Sequence, residues 1–306
     1  MKLMEMYDVV IVGGSYAGLS AALLLGRSMR RVLVIDNQQP ANRQTPHSHS
    51  FLTQDGAAPA QLAAVAREQV ARYPTVAFQT DTVVAARTEA VGFEVQMAGG
   101  ANVKTRKLLL ATGVVDELLP IPGLAECWGI SVLHCPYCHG YEVRGQQLGL
   151  LANGDVAAEL VALIRNWSRQ LTVFTNGPAI FTPEQQALLK AHEVPVVETP
   201  VVSVAHAAGY LTALRTADEQ LHPLDAVFAR FSTRLPGTLA QQLGCTLTAT
   251  GHIQVTEFGE TGVTNLYAAG DATTPMRQVA AAVAQGAKAG AWLNRELIGE
   301  GIYAEV

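Results

Sequence analysis

The chain has 306 residues, 49% of them hydrophobic and only 15% charged, with 27 glycines and a net charge of -5. That length allows two domains of ordinary size, and the apolar, glycine-rich balance suits buried parallel strands under closely packed helices. The charge leaves no basic footprint for nucleic acid, no run of 18 uncharged apolar residues is present to span a membrane, and four cysteines are not a secreted disulfide scaffold.

The N-terminus, MKLMEMYDVVIVGG, runs straight into a strand and a glycine turn with no cleavable leader pattern, which points to a cytoplasmic protein. Tyr7 to Asn37 predicts a βαβ unit: VVIV, a glycine turn, a helix with Leu19, Ala22, Leu23 and Leu25, then RVLVID. GGSYAG fits G-x-G-x-x-G at Gly13 and Gly18, with Gly14 and Ala17 inside it and Ser15 in place of the middle glycine. A small serine still lets the backbone approach a pyrophosphate at the helix start. Asp36 closes the second strand eighteen residues after Gly18, where a carboxylate meets a ribose, and Asn37 follows it. A bare packing turn is the alternative.

AAPAQLAAVAREQVARY predicts the next helix, AFQTDTVVAART and GFEVQMAG antiparallel strands, and KLLLATG a buried strand. VVDELLPIPGLAECWG is irregular, a crossover. A second strand–turn–helix–strand spans Gln147 to Gly177, and a last helix runs from about Gln278 to Ile298. The order predicts an α/β fold of two Rossmann-like, three-layer domains, the second inserted into the first. Residues 1–114 and 237–306 would form the outer domain and 115–236 the inserted one.

TGVTNLYAAGD, with Ala268-x-Gly270-Asp271, resembles the distal flavin motif of flavoproteins with two dinucleotide domains, and Ala111-Thr112-Gly113 resembles their other flavin signature. RQV opens the last helix, so Gln278 and Val279 would present its N-terminus to an anionic reduced flavin, a contribution of roughly 0.3–1 kcal/mol. FAD is the expected cofactor. Val83, Asn42 and Arg43 join the expected set, the last two reaching for the diphosphate unless they form a solvated turn. His49, in HSHS with His47, is expected near the cofactor rather than in a solvated loop or on a metal.

Cys135 and Cys138 form a C-P-Y-C pair followed by His139. In so short a loop a disulfide removes only about 2 kcal/mol of chain entropy, so the pair reads as redox-active. Zinc or inert core cysteines are the alternatives, with Cys127 and Cys245 as packing residues. The order GGSYAG, ATG, CxxC, second glycine turn and AGD resembles the low-molecular-weight thioredoxin reductase family over nearly the whole chain, in its CPYCHG branch. The resemblance implies that Cys138 faces the flavin, that Cys135 exchanges with an external disulfide, and that the protein is a homodimer. Thioredoxin reductases proper carry an acid where this chain has His139, whose ordinary range near 6.5 suits a proton shuttle.

At ANGDVA, Ala152 replaces the first glycine, while Gly154 and Ala157 match. Thr175 and Asn176 offer neither the arginines of an NADP site nor the acid of an NAD site. The expectation is therefore an FAD-dependent thiol–disulfide oxidoreductase for which NADPH is a doubtful donor. Its partner would be a thioredoxin-like protein or a small dithiol or disulfide. A dithiol oxidase using oxygen, an NADPH-dependent thioredoxin reductase and a flavin-bound redox sensor are the other readings.

Overall fold

The computed structural model describes residues 6–304, which divide into two compact units. The first takes the chain up to Arg43, Phe51–Val115 and everything from Thr233 onward; the second takes Gln44–Ser50 and Asp116–Ser232. These borders differ from the expected ones in three places: Val115 stays with the first unit, a shift of one residue, and two larger shifts each have a packing reason. Residues 233–236 go with the first unit because Leu235 is buried in its core. Residues 44–50 leave the first unit: Gln44 Nε2 donates to the Ala125 carbonyl at 3.2 Å, and Thr45 packs on Gly129.

The first unit opens with β1 (Tyr7–Val12), α1 (Tyr16–Arg27) and β2 (Val32–Asp36), then α2 (Pro59–Ala71), β3 (Val76–Thr80), β4 (Val83–Thr88), β5 (Phe93–Met97) and β6 (Asn102–Leu110), and the short β7 (Val115–Asp116) spans the border. AFQTDTVVAART is two strands, not one. Asp81 breaks it, its carboxylate accepting from the Thr82 N–H at 2.7 Å, so β3 runs parallel to β2 while β4 runs antiparallel to β5.

In the second unit the chain makes α3 (Leu124–Cys127), β8 (Val132–Leu133), α4 (Pro136–His139), β9 (Leu148–Leu151), α5 (Gly154–Ile164), β10 (Leu171–Phe174), α6 (Pro183–Ala191) and β11 (Val196–Val197). A meander of β12 (Val201–Ala207), β13 (Tyr210–Thr216) and β14 (Leu221–Pro223) follows, then β15 (Ala226–Ala229). The parallel sheet here is ordered β11-β10-β9-β15-β8. The first unit resumes with β16 (Thr233–Arg234), α7 (Leu239–Gln242), β17 (Leu266–Ala268), a 3₁₀ turn over Gly270–Ala272 and α8 (Val279–Gly299).

Successive residues of β1 feed opposite cores, as the two-residue period of a strand requires. Val9 and Ile11 pack with α1 and α8, while Val10 and Val12 pack with Val95, Leu239 and their neighbours. Long β6 pairs with β1 along one side; on the other, its first half pairs with β5 and its last three residues with β17. No helix among the described residues is long and apolar enough to cross a membrane.

Candidate functional site

In the first unit, parallel register levels the carboxyl ends of four strands. Val12 pairs with Ile35 on one side and Leu110 on the other, and Leu110 pairs with Ala268. Gly13, Asp36, Ala111 and Gly270 therefore stand along one edge, the place where open α/β sheets bind ligands. The turn after β1 is tight enough to demand glycine. A Cβ on Gly13 would lie 2.2 Å from the Ala111 carbonyl oxygen, and one on Gly18 would lie 1.9 Å from the Gly13 carbonyl oxygen. Gly14 lies against Asp36, so a side chain there would also meet the carboxylate. Ser15 is the N-cap of α1 but caps nothing with its side chain, which leaves the first amides of a twelve-residue helix directed at the edge.

The remaining expected residues of this unit divide into those at the edge and those beside it. Ala17 packs against Gly270, and Thr112 and Gly113 continue from Ala111, with Gly113 at φ +66°. Asp271 meets the Arg277 guanidinium at 3.5 Å. Gln278 is the N-cap of α8, again without a side-chain cap, and Val279 is the first helical residue. Asn42 donates to the Tyr16 hydroxyl at 3.5 Å. Asn37 closes a local turn on the Gln39 N–H, Arg43 is exposed on the Pro40 carbonyl, and Val83 begins β4 three residues past the end of β3. Gln285 was not singled out in the sequence. From α8 its side-chain oxygen accepts from the Gly270 N–H at 2.7 Å and so holds the Gly270–Asp271 turn.

The second unit holds the cysteine pair. Cys135 is the N-cap and Cys138 the third residue of α4, a single turn closed by the Cys138 and His139 N–H groups on the Cys135 carbonyl. Gly140 lets this turn rest on an indole, since a Cβ there would lie 2.6 Å from Trp167 Cδ2 and 2.5 Å from the Pro136 oxygen. That is why a glycine follows the histidine. Tyr137 meets the same indole edge-on, with centroids 5.9 Å apart.

Both cysteines are free thiols, with Cys138 Sγ donating to Cys135 Sγ at 2.7 Å. That hydrogen bond chiefly brings the Cys135 thiol down to about 7; the Cys138 and Tyr137 N–H groups and the Arg230 charge act the same way, and burial opposes them. Local hydrogen bonds do the work here, because a four-residue helix has little dipole to contribute. By contrast, burial pushes the Cys127 and Cys245 thiols up, and both lie in hydrophobic cores. Iodoacetamide should therefore alkylate Cys135 of the reduced protein with a pH midpoint near 7, and leave Cys127 and Cys245 intact. A midpoint at the free-cysteine value of about 8.5 would contradict this.

His139 does not keep its ordinary range. Burial lowers its pKa; the Glu142 charge raises it and the His49 charge lowers it. The imidazole is thus neutral at neutral pH, a proton acceptor rather than a ready acid. His49 lies in the second unit, where its Nε2 stands 3.5 Å from Glu142 Oε1. Among the described residues no group of three or more His, Cys, Asp or Glu is assembled to hold a metal ion.

The second glycine turn is filled by its own chain. Asn153, N-cap of α5, accepts from the Gly154 N–H at 2.9 Å and the Ile180 N–H at 3.1 Å, and donates to the Pro178 carbonyl at 2.9 Å. Ile180 covers Gly154, with two side-chain carbons 3.1 Å from where a Cβ would stand. Asp155 adds an acid to the first turn and is held by Gln185 at 2.7 Å. Thr175 bonds the Gly177 carbonyl at 2.6 Å, and Asn176 accepts from the Val201 N–H at 2.8 Å.

Comparison with known proteins places these features in context. The description "Pyridine nucleotide-disulphide oxidoreductase" matches residues 7–286. Thioredoxin reductase tcpT of Claviceps purpurea is 32% identical, with 98% of this chain and 97% of that protein covered. Thioredoxin reductase sirT of Leptosphaeria maculans is 31% identical with the same coverages. The crystal structure of an oxidoreductase from Agrobacterium tumefaciens superposes with a TM-score of 0.90 at 38% identity, covering 96% of this chain and 99% of that one.

Proposed function

We propose that this chain, which belongs to the pyridine nucleotide-disulphide oxidoreductase family, uses Cys135 and Cys138 to exchange electron pairs between its FAD and an external dithiol or disulfide. The observation that carries the reading is the cysteine turn: two thiols 2.7 Å apart, one of them near pKa 7, on a single helical turn over Trp167. The carboxyl edge of the first sheet fits FAD, because its glycines leave backbone room at the α1 N-terminus and Asp36 stands beside them. Gly13, Gly14, Ser15, Gly18 and Asp36 would hold the adenine-side diphosphate and ribose, and Ala111–Gly113, Gly270, Asp271, Gln278 and Val279 the flavin side. Bound FAD supplies a two-electron store that a dithiol can fill and an acceptor such as oxygen can empty.

The cysteines' own chemistry balances without further reagents. The Cys135 thiolate attacks an external disulfide, forming a mixed disulfide and releasing one thiolate. Cys138 then attacks Cys135 Sγ, expelling the second thiolate, and its proton passes to neutral His139. The external disulfide is reduced by two electrons and the cysteine pair is oxidised by two. In the opposite direction the same steps oxidise an external dithiol.

That opposite direction is the one we assign in turnover, with a dithiol rather than NADPH as donor. Asn153, Ile180 and Asp155 support it, since the first ties the second glycine turn to the 178–180 loop, the second lies against Gly154 and the third adds an acid at the start of α5. Anaerobic dithiothreitol should bleach the flavin of the wild-type protein and leave that of Cys138→Ser oxidised. Bleaching of both at equal rates would remove the cysteine pair from the path.

A further inference from the structure

We propose that Glu142 and His49 form a positioning pair that sets the protonation of His139 and thereby gates proton transfer at Cys138. The proposal rests on the thiol–disulfide reading above. Three observations bring it together. Glu142 follows His139 by three residues on the turn that leaves α4, and His139 directly follows Cys138. The 44–50 segment, which the sequence order assigns to the other domain, folds into the second unit and carries His49 to Glu142, 3.5 Å apart. The pair is only partly screened from water, with side chains 20% and 40% exposed, whereas His139 is mostly buried.

An exposed His–Glu pair contributes little to stability by itself. Beside a buried imidazole its electrostatic effect is larger, because desolvation already opposes the charged ring. Glu142 favours a proton on His139, and a positive charge on His49 both opposes that proton and offsets the Glu142 carboxylate. The two side chains therefore act in opposite directions on one group. His47 faces His49 with ring centroids 6.5 Å apart and belongs to the same cluster. Two arginines of the same unit have other partners: Arg144 lies over the Tyr141 ring at 3.9 Å, and Arg230 pairs with Glu159 while bearing on Cys135. In the disulfide-reducing direction Cys138 attacks the mixed disulfide and its proton goes to His139; in the dithiol-oxidising direction assigned above, the imidazolium returns that proton to the departing Cys138 sulfur. Glu142 stabilises the resulting imidazolium, and His49 limits that stabilisation so that the proton can leave again.

The test is a histidine ¹³Cε1 NMR titration of the reduced holoprotein, with His139→Gln assigning the resonance, beside the pH profile of anaerobic bleaching by dithiothreitol. Glu142→Gln should move the His139 midpoint and the bleaching profile to lower pH. His49→Gln should move both to higher pH. In a His139→Gln background neither substitution should move the profile. Shifts in the same direction, or no shift in either variant, would overturn the proposal. So would a His139→Gln protein whose profile matches the wild type, although persistent dithiol bleaching there would leave the thiol–disulfide reading standing. Retained flavin absorbance and dispersed histidine resonances show that each variant is folded.

Discussion

Replacing Cys135 or Cys138 by Ser lowers thiol–disulfide turnover by at least about 10³-fold, and the double variant loses no more than either single one, because the two sulfurs act as a unit. A hydroxyl at either position neither ionises near neutral pH nor forms the mixed disulfide. The geometry further distinguishes the two variants. Cys135 is the thiol held near pKa 7, so Cys138→Ser keeps the attacking thiolate but loses the group that resolves the adduct. Cys138→Ser should accumulate a mixed disulfide with substrate through Cys135, and Cys135→Ser should accumulate none. Mass spectrometry of each variant after exposure to an external disulfide reads the result. Both variants keep FAD, since neither sulfur contributes to the first sheet's carboxyl edge. An adduct confined to Cys138 would reverse the assignment.

NADPH should reduce the bound flavin only at roughly millimolar concentration, with NADH no better. Losing two charge-assisted contacts at about 1.5–3 kcal/mol each weakens binding by roughly 10² to 10⁴-fold. The structure adds physical obstruction to those missing charges. Asn153 spends both ends of its amide on the 178–180 loop and Gly154, Ile180 lies against Gly154, and Asp155 sets a negative charge at the helix start. Arg165, which follows α5, does not compensate, because it donates to the His192 carbonyl at 2.7 Å. An ordered loop would have to open and an acid would have to face a diphosphate. Full bleaching by roughly micromolar NADPH within a second, on the scale of fast turnover, would contradict this.

The sequence carries the first βαβ unit and the cysteine turn plainly, because both depend on short-range chemistry. A Cβ on Gly18 would strike the Gly13 carbonyl five residues back, so that requirement is local and shows as a motif, even though Gly13 itself answers to the Ala111 carbonyl of another strand. What it hides is what distant segments do. Asp81 splits one apparent strand by bonding its own neighbour, a choice that hydrophobic pattern cannot reveal. The β12–β14 meander lies in a stretch whose alternation is weak, with register shifts along β12. His49 sits in a loop that reads as part of the flavin domain, yet side-chain bonds to Ala125 and packing on Gly129 draw the segment into the second unit. The plug over the second glycine turn is equally non-local: Ala152 marks a departure, but only folding brings Ile180 onto Gly154, twenty-six residues away.

An anaerobic dithionite titration of the oxidised holoprotein tests the central claim most directly, because it counts the redox centres in one chain. A disulfide and an FAD each take two electrons, so the wild-type protein should consume about four per chain before the flavin is fully bleached, and Cys135→Ser about two. Consumption of about two electrons by the wild type, equal to that of the variant, would show that Cys135 and Cys138 are not a redox pair.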